Sequence, residues 1–187
     1  MGAVRDVIDD ELREWIRRQP VFFVASAPLA GDGHVNLSPK GLDTFRVLDA
    51  NRVSYLDLTG SGAETIAHLR ENGRITVLFC AFDGPPRILR LFGEGTAHLI
   101  GSEGFQERVE RFGQVPHSTR AVIDVEVTRI QTSCGFGVPL MELVAPRDRL
   151  TQWGRARTSA ELDAYRATKN ARSIDGLAAF DHSAASG

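Results

Sequence analysis

The sequence predicts a mainly β domain in which antiparallel strands build a sheet or a barrel, with a few helices beside it. Short apolar or alternating segments recur from residue 21 to residue 132, as is typical of strands. Turn-forming sequences such as GDG at 31–33 and DGPP at 83–86 separate these segments and favour hairpins. Strands joined by hairpins indicate an antiparallel architecture rather than a doubly wound parallel sheet.

Composition narrows the class of protein. The chain has 187 residues, of which 42% are hydrophobic and 25% charged, and this suits one globular domain with a full core. A net charge of −2 supplies no global field for nucleic acid, and no apolar run approaches the roughly 20 residues of a membrane span. Cys80 and Cys134 lie far apart and form no metal-type cluster. We therefore expect a cytoplasmic protein without a bound metal, and with neither nucleic acid nor a membrane as partner.

The strands are predicted to follow an N-terminal helix that Asp6 caps, because apolar residues recur there at helical spacing. Six strands come next, with a brief apolar segment at 45–48 between the second and the third. They span residues 21–27, 34–38, 52–57, 74–82, 87–100 and 120–132. Pro39 is expected to break the second strand, whereas Gly93 and Gly95 mark bends or bulges in the fifth.

Two helices are predicted among the strands. Residues 64–71 have apolar positions on one face, and Gly73 follows as a C-terminal stop. Residues 103–112 form a second, shorter helix, which Ser102 is placed to cap.

The chain after residue 144 is predicted to be a helical extension. Within residues 145–180 the segments 147–157 and 160–169 are polar and helix-prone, and Thr158 with Glu161 matches a capping box. We expect this extension to pack either on the barrel or on a partner subunit, and residues 181–187 to form a disordered tail. The barrel domain, with the N-terminal helix, then spans residues 1–144.

A glycine-containing loop joins the third predicted strand to the helix that follows it. Glycines let a backbone approach an anion closely, and the free amides at a helix start point toward such an anion. Nearby hydroxyl groups add further donors. The residues that can hold a phosphate here are Thr59, Gly60, Ser61, Gly62 and Thr65. In isolation the same residues also fit a plain tight turn.

Two better-known nucleotide motifs are excluded. A P-loop needs a lysine at its end, and this loop has none. A dinucleotide fingerprint needs a third glycine where Thr65 stands. A dinucleotide-binding fold also needs an acidic residue downstream to bind the ribose. The residue at the right distance is Asp83, but it falls in a hairpin turn rather than at the end of a parallel strand.

A second polar feature precedes the loop. Asn36 and Ser38 lie on one face of the second predicted strand, and Lys40 follows just past its expected end. A lysine at that position can pair with a phosphate or with the electron-rich edge of a ring. The other interpretation is an exposed lysine in a turn.

These features belong to an ordered series of motifs along the chain. In order, the series is VNLSPKG at 35–41, LTGSG at 58–62, RITVLF at 74–79, GPPR at 84–87 and RLFGEG at 90–95. Together they closely resemble the pyridoxamine 5′-phosphate oxidase-like proteins of the FMN-binding split-barrel superfamily. SCGFGVP at 133–139 and KNARSIDGL at 169–177 look like a bacterial subgroup of that family.

The resemblance implies a fold and a mode of cofactor binding. The fold is a six-stranded antiparallel split β-barrel with flanking helices, working as a homodimer with FMN in a groove between the subunits. The loop would hold the flavin phosphate, and the strand carrying Asn36, Ser38 and Lys40 would lie along the ribityl chain and ring. Arg87 is a further candidate for the anion, and Phe136, between two glycines, for the ring.

The sequence also departs from pyridoxamine phosphate oxidase itself. That enzyme has a Ser-Arg-Lys phosphate clamp where this chain has Gly62, Ala63 and Glu64, and a basic Arg-x-His motif that is missing after Asp175. Pyridoxamine phosphate is therefore not the expected substrate. The resemblance implies an FMN-dependent oxidoreductase that transfers hydride between a nicotinamide and a small organic molecule. The deazaflavin F420 is an alternative cofactor, and a non-catalytic flavin, F420 or haem carrier is an alternative function.

Overall fold

The computed structural model describes residues 2–180, and the tail predicted at 181–187 lies outside the described residues. These residues contain eight strands: β1 Ala3–Arg5, β2 Val21–Ser26, β3 Asn36–Gly41, β4 Phe45–Val47, β5 Arg52–Leu58, β6 Arg74–Cys80, β7 Ile88–Leu99 and β8 Thr119–Ser133. Five α-helices accompany them within the described residues: α1 Asp10–Arg17, α2 Glu64–Asn72, α3 Phe105–Val109, α4 Arg149–Arg155 and α5 Ser159–Lys169.

The strands form one antiparallel sheet. Its order is β3-β2-β6-β7-β8-β5-β4, and β1 adds to β8 outside this path. The sheet curls into a half-barrel with helices beside it, which confirms the mainly β split-barrel prediction. The sheet has two strands more than the six predicted. The two additional strands, β1 and β4, have only three residues each.

Two glycines in β7 shape the sheet, and the irregularity predicted for this strand lies at Gly93. The β7–β8 register shifts between Phe92 and Gly93, and a Cβ on Gly93 would collide with the carbonyl oxygen of Glu126. Gly95 lies directly under Leu69 of α2, whose methyl groups would be 2.9–3.0 Å from a Cβ there. The second glycine therefore allows α2 to pack closely on the sheet.

The predicted break at Pro39 is wrong, because β3 runs through it to Gly41. β3 is an edge strand that pairs on one side with β2, and Pro39 stands opposite Phe23. A proline lacks the N–H donor that a central strand needs, but an edge strand tolerates this loss. Lys40 consequently belongs to the strand, on the same face as Asn36 and Ser38.

Helix capping differs from the prediction at two of three places. Asp9, rather than Asp6, caps α1, since its carboxylate accepts from the amide of Leu12 at 2.8 Å. Gly104 occupies the cap of α3, and Ser102 instead donates to the carbonyl of Leu99 at the end of β7. The predicted capping box of α5 is present.

The main core lies between the curled sheet and helices α1 and α2. An aromatic cluster forms its centre, with edge-to-face contacts among Phe22, Phe45, Tyr55 and Phe79. Within residues 2–180 no helix has the length and apolarity to cross a membrane.

Candidate functional site

A cleft of about 1340 Å³ opens beside the edge strand β3. One wall is β3 with the residues after it, and another is the loop that leads into α2. The C-terminal end of α1 and residues 143–150 complete the rim. Such a volume is larger than the usual range for small-molecule sites, roughly 300–1,000 Å³, so the cleft can accept a cofactor-sized ligand.

Most of the side chains selected from the sequence meet in this cleft. Seven of the ten line it: Asn36, Ser38, Lys40, Gly60, Ser61, Gly62 and Thr65. Thr59 is fully buried behind the loop, where its hydroxyl accepts from Arg166. Arg87 lies elsewhere, paired with Glu11 at 3.0 Å, and Phe136 is 80% exposed to solvent outside the cleft wall.

The loop presents open backbone to the cleft. A Cβ added to Gly60 or Gly62 would meet nothing in the protein closer than 3.9 Å, so these glycines keep the cleft wall free of side chains. The nine-residue helix α2 begins directly afterwards, and Ala63 at its cap provides no side-chain acceptor for the first amides. Uncapped amides at a helix start attract an anion.

A buried charge cluster lies beneath the loop. The two oxygens of Asp57 accept from Lys40 Nζ at 2.6 Å and from Arg120 Nε at 2.7 Å. Arg120 also donates from Nη2 to the carbonyl of Gly62 at 2.7 Å. Asp57 and Arg120 are 1% and 4% exposed. Two cations share one carboxylate, so the cluster itself carries a net positive charge.

Arg120 has spare hydrogen-bonding capacity at this position. It lines the cleft, and its buried Nη1 has no hydrogen-bond partner within residues 2–180. A buried guanidinium nitrogen without an acceptor is costly, and a bound anion would relieve that cost. The cluster therefore has the charge and the donors of an anion site.

Asp57 is held ionised by this arrangement. Burial by itself would raise the pKa of its carboxyl, but the charges of Arg120 and Lys40 and their hydrogen bonds outweigh burial and lower the pKa from 3.8 to about 2. The carboxylate is thus a permanent bridge between the two cations near neutral pH.

We predict that acid weakens the fold through Asp57. Because the folded pKa lies below the unfolded one, its contribution of about 2 kcal/mol to the free energy of unfolding is complete above pH 4 and disappears as the pH falls toward 2. Titration of the Asp57 carboxyl carbon by NMR, with urea unfolding at matched pH values, checks this. A carboxyl that protonates at its ordinary pKa would contradict the prediction.

A second polar network links β3 to α2. Ser38 Oγ donates to Asn36 Oδ1, and Asn36 Nδ2 donates to Thr65 Oγ1, both at 3.0 Å. Because Thr65 accepts from the amide, its own hydroxyl hydrogen remains available to a ligand in the cleft. Beneath them Ser26 Oγ lies 2.9 Å from Nδ1 of the fully buried His68.

The sequence did not identify Arg120, Ser26 or the bridging role of Asp57. Asp57 stands between two leucines of β5, and Arg120 directly precedes an apolar run near the start of β8. A charged residue at such a position is the local signal that could have indicated both, whereas Ser26, at the end of β2, gives no such signal.

Comparison with known proteins places the chain in a family. The family model described as pyridoxamine 5′-phosphate oxidase matches residues 8–134. In an alignment of 193 positions the chain is 45% identical to the pyridoxamine 5′-phosphate oxidase family protein ustO of Aspergillus flavus. The match covers 95% of this chain and 77% of that protein.

Solved structures share the fold. HupZ of Group A Streptococcus superposes with a TM-score of 0.52 at 23% identity, over 66% of this chain and 91% of that one. A histidine-to-alanine variant of HupZ gives a TM-score of 0.54 at 22% identity, over 67% of this chain and 99% of that one. Sheet order, sequence match and shared fold agree, and the chain belongs to the pyridoxamine 5′-phosphate oxidase family.

Proposed function

We propose that the protein is a flavin-dependent oxidoreductase that holds FMN in the cleft beside β3. The proposal rests chiefly on the anion site formed by the uncapped start of α2 and by Arg120 with its unpartnered Nη1. A flavin mononucleotide has one phosphate at the end of a flexible chain, and this site offers one concentrated positive centre. The loop residues Ser61 and Gly62, with Thr65, would bind the phosphate.

The rest of the cleft suits the remainder of the cofactor. β3 extends about 16 Å from Asn36 to Gly41 at roughly 3.3 Å per residue, a length comparable with an extended flavin. Ser38 lies along this strand as a polar partner for the ribityl chain. Lys40, tied to Asp57 at 2.6 Å, would place a fixed positive charge near the cofactor.

The bound flavin would supply the hydride chemistry, and the protein would position it and adjust its charge. No acid–base dyad is required for such a reaction. A nicotinamide is the proposed hydride donor, and a small organic molecule the acceptor.

A second copy of the chain is the proposed partner. Large apolar side chains are exposed on both sides of the cleft, Val35 and Leu37 at the edge strand and Leu140, Leu143 and Val144 after β8. Large apolar side chains that are exposed in this way are typical of a protein interface. In such a dimer Arg87 and Phe136, which lie outside their own cleft, remain candidates for the site of the other subunit.

Analysis of the protein as purified tests the proposed function. Native mass spectrometry is expected to show a dimer with one FMN per subunit, and anaerobic NADPH is expected to bleach the flavin absorption. Bound F420 or haem would replace FMN in the proposal, and a flavin that stays oxidised under NADPH and other hydride donors would indicate a carrier. Protein that binds none of these cofactors at micromolar concentration would contradict the proposal.

A further inference from the structure

Helix α5 supports the phosphate loop from the side opposite the cleft. Arg166 Nε donates to Thr59 Oγ1 at 3.0 Å, and its Nη2 donates to the carbonyl of Thr119 at 3.3 Å. Asn170, at the end of the same helix, donates from Nδ2 to the carbonyl of Gly60 at 2.9 Å. Both side chains are buried, at 4% and 0% exposure. They lie outside the segment that matches the family model.

These bonds set the direction of the loop amides. In a planar trans peptide the carbonyl of one residue and the N–H of the next point in opposite directions. Asn170 holds the carbonyl of Gly60, so the N–H of Ser61 points away from α5 and toward the cleft. Neither this amide nor that of Ala63 donates to a group within residues 2–180.

Arg166 adds charge as well as a bond. Its ion-pair partner Asp163 lies 2.9 Å away but is 68% exposed, so solvent screens the carboxylate more than the buried guanidinium. A second buried cation thus lies behind the loop, near Arg120. An anion on the cleft side would experience its field.

We propose that Asn170 and Arg166 are positioning residues that hold the loop at 59–62 in its anion-binding form. The C-terminal helix thereby makes the cleft select a phosphorylated flavin over an unphosphorylated one. This inference rests on the proposed function, and it assigns part of the selectivity to a helix outside the family-matched segment.

The test compares FMN with riboflavin, which lacks only the phosphate. Dissociation constants for both are measured by flavin fluorescence with the wild type, Asn170→Ala, Arg166→Met and Arg166→Lys. Asn170→Ala is expected to weaken FMN binding about tenfold and to leave riboflavin binding unchanged, as loss of one buried hydrogen bond predicts. Arg166→Met should reduce the preference for FMN further, and Arg166→Lys, which keeps the charge, should restore part of it.

The matched control is Lys169→Ala, which removes an exposed positive charge from the same helix. Equal weakening of both ligands, or an unchanged FMN preference in folded variants, would overturn the inference. Amide NMR with inorganic phosphate as the probe gives an independent result, because the Ser61 amide should respond in the wild type and lose this response in Asn170→Ala. Wild-type protein that binds neither flavin would contradict the proposed function, whereas the phosphate response would still decide the role of Asn170.

Discussion

Replacing Asp57 with asparagine is expected to lower the free energy of unfolding by about 3–5 kcal/mol, the usual result of removing one member of a buried ion pair. The substitution keeps the shape of the side chain but removes the charge that Lys40 and Arg120 share. Arg120 is 4% exposed and has no other carboxylate partner within residues 2–180, so its charge would remain buried without compensation. Chemical denaturation at neutral pH measures the loss.

Asp163→Asn is the control for this substitution. Asp163 also pairs with a buried arginine, at 2.9 Å, but its own side chain is 68% exposed. An exposed partner contributes about 1 kcal/mol or less, so Asp163→Asn should change stability far less than Asp57→Asn. If both variants lost similar amounts of unfolding free energy, burial would not explain the contribution of the Asp57 ion pairs to stability.

Replacing Arg120 with methionine is expected to weaken FMN binding about 100-fold, because charge-assisted hydrogen bonds to a phosphate are among the strongest single contacts in a site. Methionine resembles the aliphatic part of the arginine side chain, but it carries no charge and cannot donate a hydrogen bond. Binding of riboflavin should change little, since the lost partner is the phosphate. Titration of both flavins gives the two dissociation constants.

Loss of binding must be separated from loss of stability. The double variant Asp57→Asn/Arg120→Met removes both charges, so it should be more stable than Asp57→Asn alone and yet still fail to bind FMN tightly. Arg52→Met, at the opposite end of β5 and exposed, is the control for a general loss of positive charge. Tight FMN binding by the double variant would contradict the role of Arg120.

Much of the fold was predictable because the signals for it are local. Alternation of apolar residues located the strands, Gly93 marked the bulge in β7, and the capping box at Thr158 located α5. The close contact of Gly95 with α2 was not predicted. The failure at Pro39 has a physical cause, since a proline breaks a central strand but not an edge strand, and position within the sheet is not a local property.

The residues of the candidate site also fall into two groups, those that the local sequence predicts and those that only packing brings together. The loop at 59–62, the strand with Asn36, Ser38 and Lys40, and the family were predictable from local sequence, because these residues are contiguous or alternate along one strand. The positive charge beside the loop comes from residues that are distant in the chain: Arg120 meets Asp57 across 63 positions, and Arg166 meets Thr59 across 107. Such contacts depend on how strands and helices pack, and no spacing along the chain encodes them. The same packing leaves Arg87 and Phe136 outside the cleft of their own chain.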